Sequence, residues 1–185
     1  MRVIAGTARG CKLLSLEGMD TRPTTDRVKE SMFNIVMPYL AGAAALDLFA
    51  GSGALGIEAL SRGAEKCTFV ENGTEADKII RQNLTHTKLM EKAVCIKGDA
   101  HSFLQSTRET YSIIFLDPPY DGDFYGEVLD TIQKRKLLQT EGVVVLEKRA
   151  DLHIPLPAGW EVIKDRKYGK TAIWILTAER GNEND

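Results

Sequence analysis

A glycine turn between an apolar run and a helical pattern constrains the fold of this chain more than any other feature. Residues 43–49 are mostly apolar, Gly51 and Gly53 follow, and apolar residues at helical spacing continue from Leu55. This order predicts a strand, a tight turn and a helix, the first unit of an open α/β sheet. Because Gly51 and Gly53 lack a Cβ, the turn can approach a ligand closely. Free N–H groups at the helix start can then bind a carboxylate or a phosphate.

Further apolar segments alternate with helical patterns and predict the rest of one sheet. Two last β segments have no helix between them, which predicts an antiparallel hairpin at one edge. The predicted fold is therefore α/β and Rossmann-like, with a mostly parallel, doubly wound sheet. We expect the remaining strands at 67–70, 94–97, 111–116, 143–146, 160–165 and 171–177, and helices at 55–62, 74–89, 100–105 and 125–132.

The first forty residues predict a small extension in front of this sheet. Residues 2–16 alternate loosely and contain two glycines, which is typical of a short β-hairpin. Thr24, Thr25 or Asp26 can cap a helix that runs to about Leu40. We expect a single domain over residues 1–185, made of an extension (1–40), a core (41–178) and a disordered tail (179–185).

Composition narrows the class of protein. Three cysteines form an odd set without a CxxC pair, so we expect a reduced, cytoplasmic protein without disulfides. We expect neither a signal peptide nor a membrane span, because no apolar run is long enough for a bilayer. The three histidines are widely separated, which predicts no metal site. The oligomeric state stays open, and a monomer is compatible with the sequence.

Positive charge is unevenly placed, although the net charge of −2 argues against indiscriminate binding to nucleic acid. One group of cations precedes any acid in the chain, one lies at the start of the first predicted helix, and one surrounds Asp165 near the end. For the first and last groups, a contact with RNA and a solvated surface are about equally compatible with the sequence. For the group at the helix start, a contact with a ligand and a solvated surface both stay open. The groups are Arg2, Arg9 and Lys12; Arg22, Arg27 and Lys29; and Lys164, Arg166, Lys167 and Lys170.

The glycine turn fits two classes of cofactor. Gly51-x-Gly53-x-x-Gly56 matches the dinucleotide fingerprint, and Glu71 lies where an acid would bind ribose hydroxyls. Both cofactor classes carry such a ribose, so Glu71 does not discriminate between them. Asp47 does, because it would repel a pyrophosphate. It suits S-adenosylmethionine, whose amino group and sulfonium are cationic.

Asp99 ends the third predicted strand, where it is placed to accept a hydrogen bond from an adenine amino group. Two structural explanations compete with these assignments. Asp99 can instead cap the following helix, and Glu71 can simply be a solvated strand end.

The segment Asp117-Pro118-Pro119-Tyr120 is the most specific signal, because it follows a buried strand at the edge where open α/β sheets bind ligands. Two prolines remove two N–H donors and leave carbonyls that can only accept. An exocyclic base amine needs such acceptors, which orient its lone pair and stabilise the charge that develops on nitrogen. Tyr120 offers a flat face for a flipped-out base. A structural proline turn is the competing explanation.

These segments together resemble the RsmD family, bacterial enzymes that methylate N2 of one guanine in 16S ribosomal RNA. Many amino-methyltransferases share the glycine turn and the proline segment, whereas the first helix and the opening hairpin narrow the resemblance. The matching segments are Asp47–Gly53, Asp117–Tyr120, Arg22–Ser31, Met1–Gly6 and Tyr168–Thr171, so the resemblance covers nearly the whole chain.

The resemblance implies a class I methyltransferase with S-adenosylmethionine as donor and guanine N2 in small-subunit RNA as acceptor. It places catalysis on Asp117, Pro118, Pro119 and Tyr120. We expect the substrate to be a fully or partly assembled small ribosomal subunit. Candidate cofactor contacts are Thr24, Asp47, Phe49, Ala50, Gly51, Ser52, Gly53, Glu71, Asn72, Asp99 and Ala100, and candidate RNA contacts are Arg2, Arg9, Lys12, Arg22, Arg27, Lys167 and Lys170.

Two other enzyme classes stay open on the residues alone. An N6-adenine methyltransferase acting on DNA or RNA would use the same proline segment, since adenine N6 is also a planar exocyclic amine. A nicotinamide-dependent oxidoreductase fits the glycines but leaves the proline segment unexplained.

Overall fold

A seven-stranded sheet forms the centre of the protein in the computed structural model, which describes residues 1–16, 26–119 and 124–179. Its strand order is β3-β2-β1-β4-β5-β7-β6. The strands are β1 (Ala44–Asp47), β2 (Lys66–Glu71), β3 (Ala93–Lys97), β4 (Tyr111–Leu116), β5 (Leu138–Arg149), β6 (Trp160–Tyr168) and β7 (Thr171–Ala178).

The first five strands run parallel, and the last two form an antiparallel hairpin at one edge. The chain starts in the middle of the sheet, winds outward to β3 and then returns past β1 to β4. This reversal between β1 and β4 creates a switch point, where the loops after both strands diverge and leave room for a ligand. The predicted doubly wound fold with an antiparallel edge is confirmed.

Helices cover both faces of the sheet and bury two apolar clusters against it. Leu60, Phe69 and Phe115 belong to one cluster, and Leu116, Leu129 and Leu146 belong to the other. The strands are apolar on both sides because both sides are covered. The first face carries α1 (Asp26–Val36), α2 (Ala54–Ser61) and α3 (Thr74–His86), and the second carries α4 (Ala100–Ser106) and α5 (Phe124–Lys134).

The N-terminal extension packs on the first face. A single antiparallel bridge between Arg2 and Lys12 forms the predicted hairpin. The following helix, α1, begins at Asp26 among the described residues, and the rings of Phe33 and Phe115 lie 5.5 Å apart where α1 crosses β4. Two alternative caps, Thr24 and Thr25, and the tail from residue 180 lie outside the described residues.

A buried ionic network anchors this extension. The side chains of Lys29 and Glu58 are both fully buried, with Lys29 Nζ 3.5 Å from Glu58 Oε2. Glu58 also accepts from the N–H groups of Ile4 and Ala5 and from Arg62 Nε. Burial lowers the pKa of Lys29, while the Glu58 carboxylate opposes that shift. The expectation that Lys29 faces a ligand or solvent is therefore wrong, because its ammonium group is buried and pairs with Glu58.

Replacing Glu58 with alanine tests this network. The change strands the Lys29 ammonium in the interior and removes the acceptor for two backbone N–H groups. We expect a loss of about 3–5 kcal/mol in the free energy of unfolding, the range for breaking a buried ion pair. Denaturant unfolding monitored by circular dichroism measures it.

Glu75→Ala is the matched control, because it removes an exposed pair with Lys78 whose expected worth is at most about 1 kcal/mol. Equal losses for the two variants would contradict the anchoring role of Glu58.

Candidate functional site

The loop between β1 and α2 forms the predicted glycine turn. Gly51 and Gly53 both have positive φ, +56° and +83°, a region that other residues rarely adopt. The N–H of Ala50 donates to the carbonyl of Val70 (3.0 Å), and that of Gly53 donates to Ala50 (2.7 Å). A Cβ built on Gly51 would meet no atom within 4 Å, so the turn is open on that side. A ligand can therefore reach its backbone.

Gly56, the third glycine of the motif, has a different role. A Cβ there would lie 2.3 Å from the ring of Phe69 and 2.7 Å from the sulfur of Cys67. The glycine thus allows α2 to pack directly on β2, and substitution would push the helix away from the sheet. Its place in the fingerprint reflects packing between helix and strand.

Asp47 ends β1 and is almost completely buried. Its carboxylate accepts from the N–H of Gly56 at 2.9 Å and so ties the strand to the first turn of α2. Burial raises the pKa of Asp47 to about 7, with the Gly56 hydrogen bond opposing the shift and the Glu71 charge adding to it. A carboxylate in this state favours a nearby cation.

Glu71 ends the neighbouring strand β2, and its carboxylate also faces the turn. One oxygen accepts from the N–H of Gly51 and the other from the N–H of Gly73, both at 2.8 Å. A carboxylate has about four lone-pair positions, so both oxygens can still accept from ribose hydroxyls. Glu71 is therefore positioned by the protein rather than being a free strand end.

Asp99 is the N-cap of α4. Its side chain accepts from the N–H of Ser102 at 2.8 Å, and this hydrogen bond lowers the pKa of Asp99. Asp99 therefore caps the following helix, which the sequence had left open as an alternative to a cofactor contact. The residue stays exposed, and its contact with an adenine amino group stays a prediction.

The other candidate cofactor residues in the described ranges follow the ends of β1, β2 and β3. The rings of Phe49, which precedes the turn in the chain, and Phe124 meet edge to face, 5.3 Å apart. Ala50 and Ala100 are buried, Ser52 is half-buried and Asn72 is exposed. Thr24 lies outside the described residues.

Asp117 and the two prolines follow β4 directly, beside the turn. Pro118 is buried, whereas Asp117 and Pro119 contact solvent, and Tyr120 lies outside the described residues. Although Asp117 as a whole residue reaches solvent, protein atoms crowd its carboxyl group. This partial burial raises the pKa of Asp117 well above its ordinary value, and the charges of Glu147 and Asp47 add to the shift. Asp117 is therefore a strong hydrogen-bond acceptor that favours a positively charged neighbour.

Glu147 is a component of the site that the sequence analysis missed. The pairing of Leu116 with Leu146 places it next to Asp117 on the adjacent strand. It follows the apolar run Val143–Leu146 as Asp117 follows β4. An acid at the end of an apolar strand was the available signal.

Four carboxylates thus lie across four neighbouring strands, β2-β1-β4-β5, at or near their carboxyl ends; β5 alone continues for two residues past its acid. Neighbouring acids add to the raised pKa values of Asp47 and Asp117, and carboxylates this close create a field that attracts cations. The row consists of Glu71, Asp47, Asp117 and Glu147. Within the described ranges, no group of three His, Cys, Asp or Glu side chains is arranged to hold a metal ion.

The candidate RNA residues lie at two opposite ends of the parallel strands, some at the carboxyl ends and some at the amino ends. Lys170 is exposed. It lies near the carboxyl end of β5, because the N–H of Ala150 donates to the Lys170 carbonyl at 2.8 Å. The turn that carries Arg9 lies instead against the last residue of α2, where the N–H of Thr7 donates to the Ser61 carbonyl. Arg9 therefore lies at the amino ends of the strands, whereas Asp117 lies at their carboxyl ends.

The remaining basic candidates are also exposed. Arg2 forms an ion pair with Asp26 (3.0 Å), and Lys12, Arg27 and Lys167 reach solvent. Arg22 lies outside the described residues. The described part of the chain contains no helix that is both long and apolar enough to cross a membrane.

Curated relatives match this chain over nearly its whole length. Ribosomal RNA small subunit methyltransferase D of Escherichia coli K12 is 34% identical over 186 residues, which cover 100% of this chain and 93% of the relative. YlbH of Bacillus subtilis, provisionally named an rRNA methyltransferase, is 42% identical over 180 residues, covering 95% and 97% of the two chains.

Solved structures agree with the fold. The Escherichia coli protein yhhF, provisionally described as a methyltransferase, superposes with a TM-score of 0.88 at 32% identity, over 98% of this chain and 99% of that one. The Haemophilus influenzae protein HI0767, provisionally described as a methylase, gives 0.82 at 32% identity, over 97% and 99%.

A family profile completes the comparison. The profile described as "Conserved hypothetical protein 95" matches residues 1–177. The resemblance inferred from the motifs is confirmed, and this chain belongs to the Conserved hypothetical protein 95 family, that is, the RsmD family.

Proposed function

We propose that this chain transfers a methyl group from S-adenosylmethionine to N2 of one guanine in 16S ribosomal RNA, within a fully or partly assembled small subunit. Methylation of ribosomal RNA is the activity named for its full-length relatives. The observation that carries the proposal is the position of Asp117, Pro118 and Pro119 beside the glycine turn and the row of carboxylates.

The residues at the turn fit the cofactor. The open side of Gly51 admits the ligand, Glu71 offers lone pairs to ribose hydroxyls, and Asp47 supplies negative charge. When bound, S-adenosylmethionine supplies a methyl group on a cationic sulfur. The same row of carboxylates would repel a pyrophosphate, which argues against a nicotinamide-dependent oxidoreductase.

Asp117 and Pro118 supply acceptors for the target amine. The Asp117 carboxylate and the Pro118 carbonyl accept from the two N–H groups, and neither proline places a competing N–H donor nearby. The raised pKa of Asp117 also suits it to take up the proton that the methylated amine must lose. The chain's part in the reaction is thus to orient the amine and to accept its proton.

Glu147 favours guanine over adenine in this site. Guanine carries an N1–H donor next to its N2 amine, whereas adenine presents an N1 lone pair next to its N6 amine. A carboxylate beside Asp117 attracts the donor of guanine and repels the lone pair of adenine. This position of Glu147 supports guanine N2 against the N6-adenine alternative.

Asp117→Ala tests the role of the acceptor. We expect methyl transfer to fall by about 10²–10³-fold, the range for removing one preorganised electrostatic group. The affinity for S-adenosylmethionine should stay within a few-fold, because other residues hold the cofactor. Asp117→Asn is the matched control, since its amide oxygen still accepts, and it should retain more activity than the alanine variant.

Single-turnover transfer to unmodified small subunits and calorimetric binding of the cofactor separate the two effects. Parallel loss of activity and cofactor binding in a folded Asp117→Ala protein would mean that Asp117 holds the cofactor instead.

Base selection can be tested with small subunits whose target guanine is replaced by 2-aminopurine. This base keeps the N2 amine but presents a lone pair at N1. We expect the wild-type protein to prefer guanine by at least about 10-fold to 100-fold, the worth of one hydrogen bond to a charged group. Glu147→Gln should reduce that preference to within a few-fold, because a neutral amide no longer repels the N1 lone pair.

The four rates form a double-mutant cycle in which the effect of the missing O6 cancels. An unchanged preference in Glu147→Gln would remove Glu147 from base recognition.

A further inference from the structure

The β6–β7 hairpin lies beside the candidate active site because of strand register. Arg166 pairs with Ile173, and Ile173 pairs with Glu147 on β5. Glu147 in turn lies next to Asp117. Arg166 is therefore level with Asp117, three strands away. At about 4.8 Å per strand, the separation is about 14 Å.

Four exposed cations occupy this end of the hairpin. We name them the basic hairpin: Lys164, Arg166, Lys167 and Lys170. Residues 163–167 are all exposed, so helices cover neither face of β6 here. No carboxylate among the described residues forms an ion pair with any of the four. Their charges are available to an anionic partner.

The distribution of charge along β6 is directional. The half of the strand near Asp117 carries three of these cations against one acid, Asp165, whereas the far half, 160–163, carries only Glu161. Charges that merely protect an edge strand from pairing would serve equally well along its whole length. The concentration of cations at the catalytic edge therefore points to a ligand that approaches this edge.

Two of the cations lie on a defined face of the sheet. Lys164 pairs with Ile175 and Arg166 with Ile173, and both isoleucines belong to the apolar cluster beneath α1. Lys164 and Arg166 therefore lie on the face that also carries Glu147, since Glu147 pairs with Ile173 too. A strand of RNA that crosses from Asp117 to β6 would meet these two side chains in turn.

We propose that the basic hairpin binds phosphates of the RNA strand that flank the target base. This inference rests on the proposed function. A flipped-out base enters the site at Asp117, and about 14 Å corresponds to a short stretch of extended single strand. Exposed cations on such a stretch bind phosphates without reading sequence, so they supply affinity and fix register.

The test compares wild-type protein with Lys164→Gln/Arg166→Gln. We expect the KM for unmodified small subunits to rise about 10-fold or more, while kcat at saturating RNA and the affinity for S-adenosylmethionine stay unchanged. The logarithmic dependence of RNA affinity on salt should become shallower by about 1.4, from about 0.7 for each lost phosphate contact. A purely structural role would not change that slope.

Lys92→Gln/Lys134→Gln is the matched control. It removes the same amount of positive charge from two exposed lysines at the amino ends of the strands, away from Asp117. One lies just before β3 and the other in the last turn of α5. We expect its KM and salt slope to equal those of the wild-type protein. Lys167→Gln/Lys170→Gln, a second pair in the basic hairpin, should reproduce the first effect independently.

The outcomes separate the two proposals. Wild-type protein that binds S-adenosylmethionine but methylates no ribosomal RNA would overturn the proposed function. Normal methylation by the wild-type protein, with both hairpin variants behaving like the control, would overturn the role of the basic hairpin.

Discussion

Asp47 brings a carboxylate into the interior of the protein where β1 meets the glycine turn. Among the residues that the structure describes, the N–H of Gly56 donates to this carboxylate; it holds α2 against the strand but does not neutralise the charge. Burial and nearby acids therefore raise the pKa of Asp47 to about 7 and that of Asp117 well above its ordinary value. A cation bound between them relieves this repulsion, so binding lowers both pKa values and releases protons near neutral pH. The buried carboxylates thus favour binding of a cationic ligand.

The fold separates this electrostatic site from the contacts that hold the extension in place. Glu58 and Ser61, in the second half of α2, bind the backbone of residues 4–8 and so fix the extension against the helix. The four carboxylates and the basic hairpin lie instead where the parallel strands end. Negative charge next to the turn suits the donor, whereas positive charge about 14 Å away suits the RNA backbone. One sheet therefore presents two charged surfaces of opposite sign side by side.

The sequence predicted the sheet, its antiparallel edge and the glycine turn, because they depend on local periodicity and on glycines at positive φ, Gly51 and Gly53. The sequence did not reveal the role of residues whose environment is determined by tertiary contacts. Lys29 looked like a ligand-facing cation, but its partner Glu58 is 29 residues away in the chain. Glu147 follows an apolar run as Asp117 does, but only the register of β4 and β5 shows that the two acids lie side by side. Asp99 could be a cap or a cofactor contact, and the sequence alone could not exclude either.

We propose that this site methylates the N2 amine of one guanine in small-subunit RNA. The most direct measurement incubates the protein with labelled S-adenosylmethionine and small ribosomal subunits that lack their own modification, then analyses the nucleosides of the product. We expect N2-methylguanosine at a single position of 16S ribosomal RNA. N6-methyladenosine, or transfer only to DNA, would contradict it.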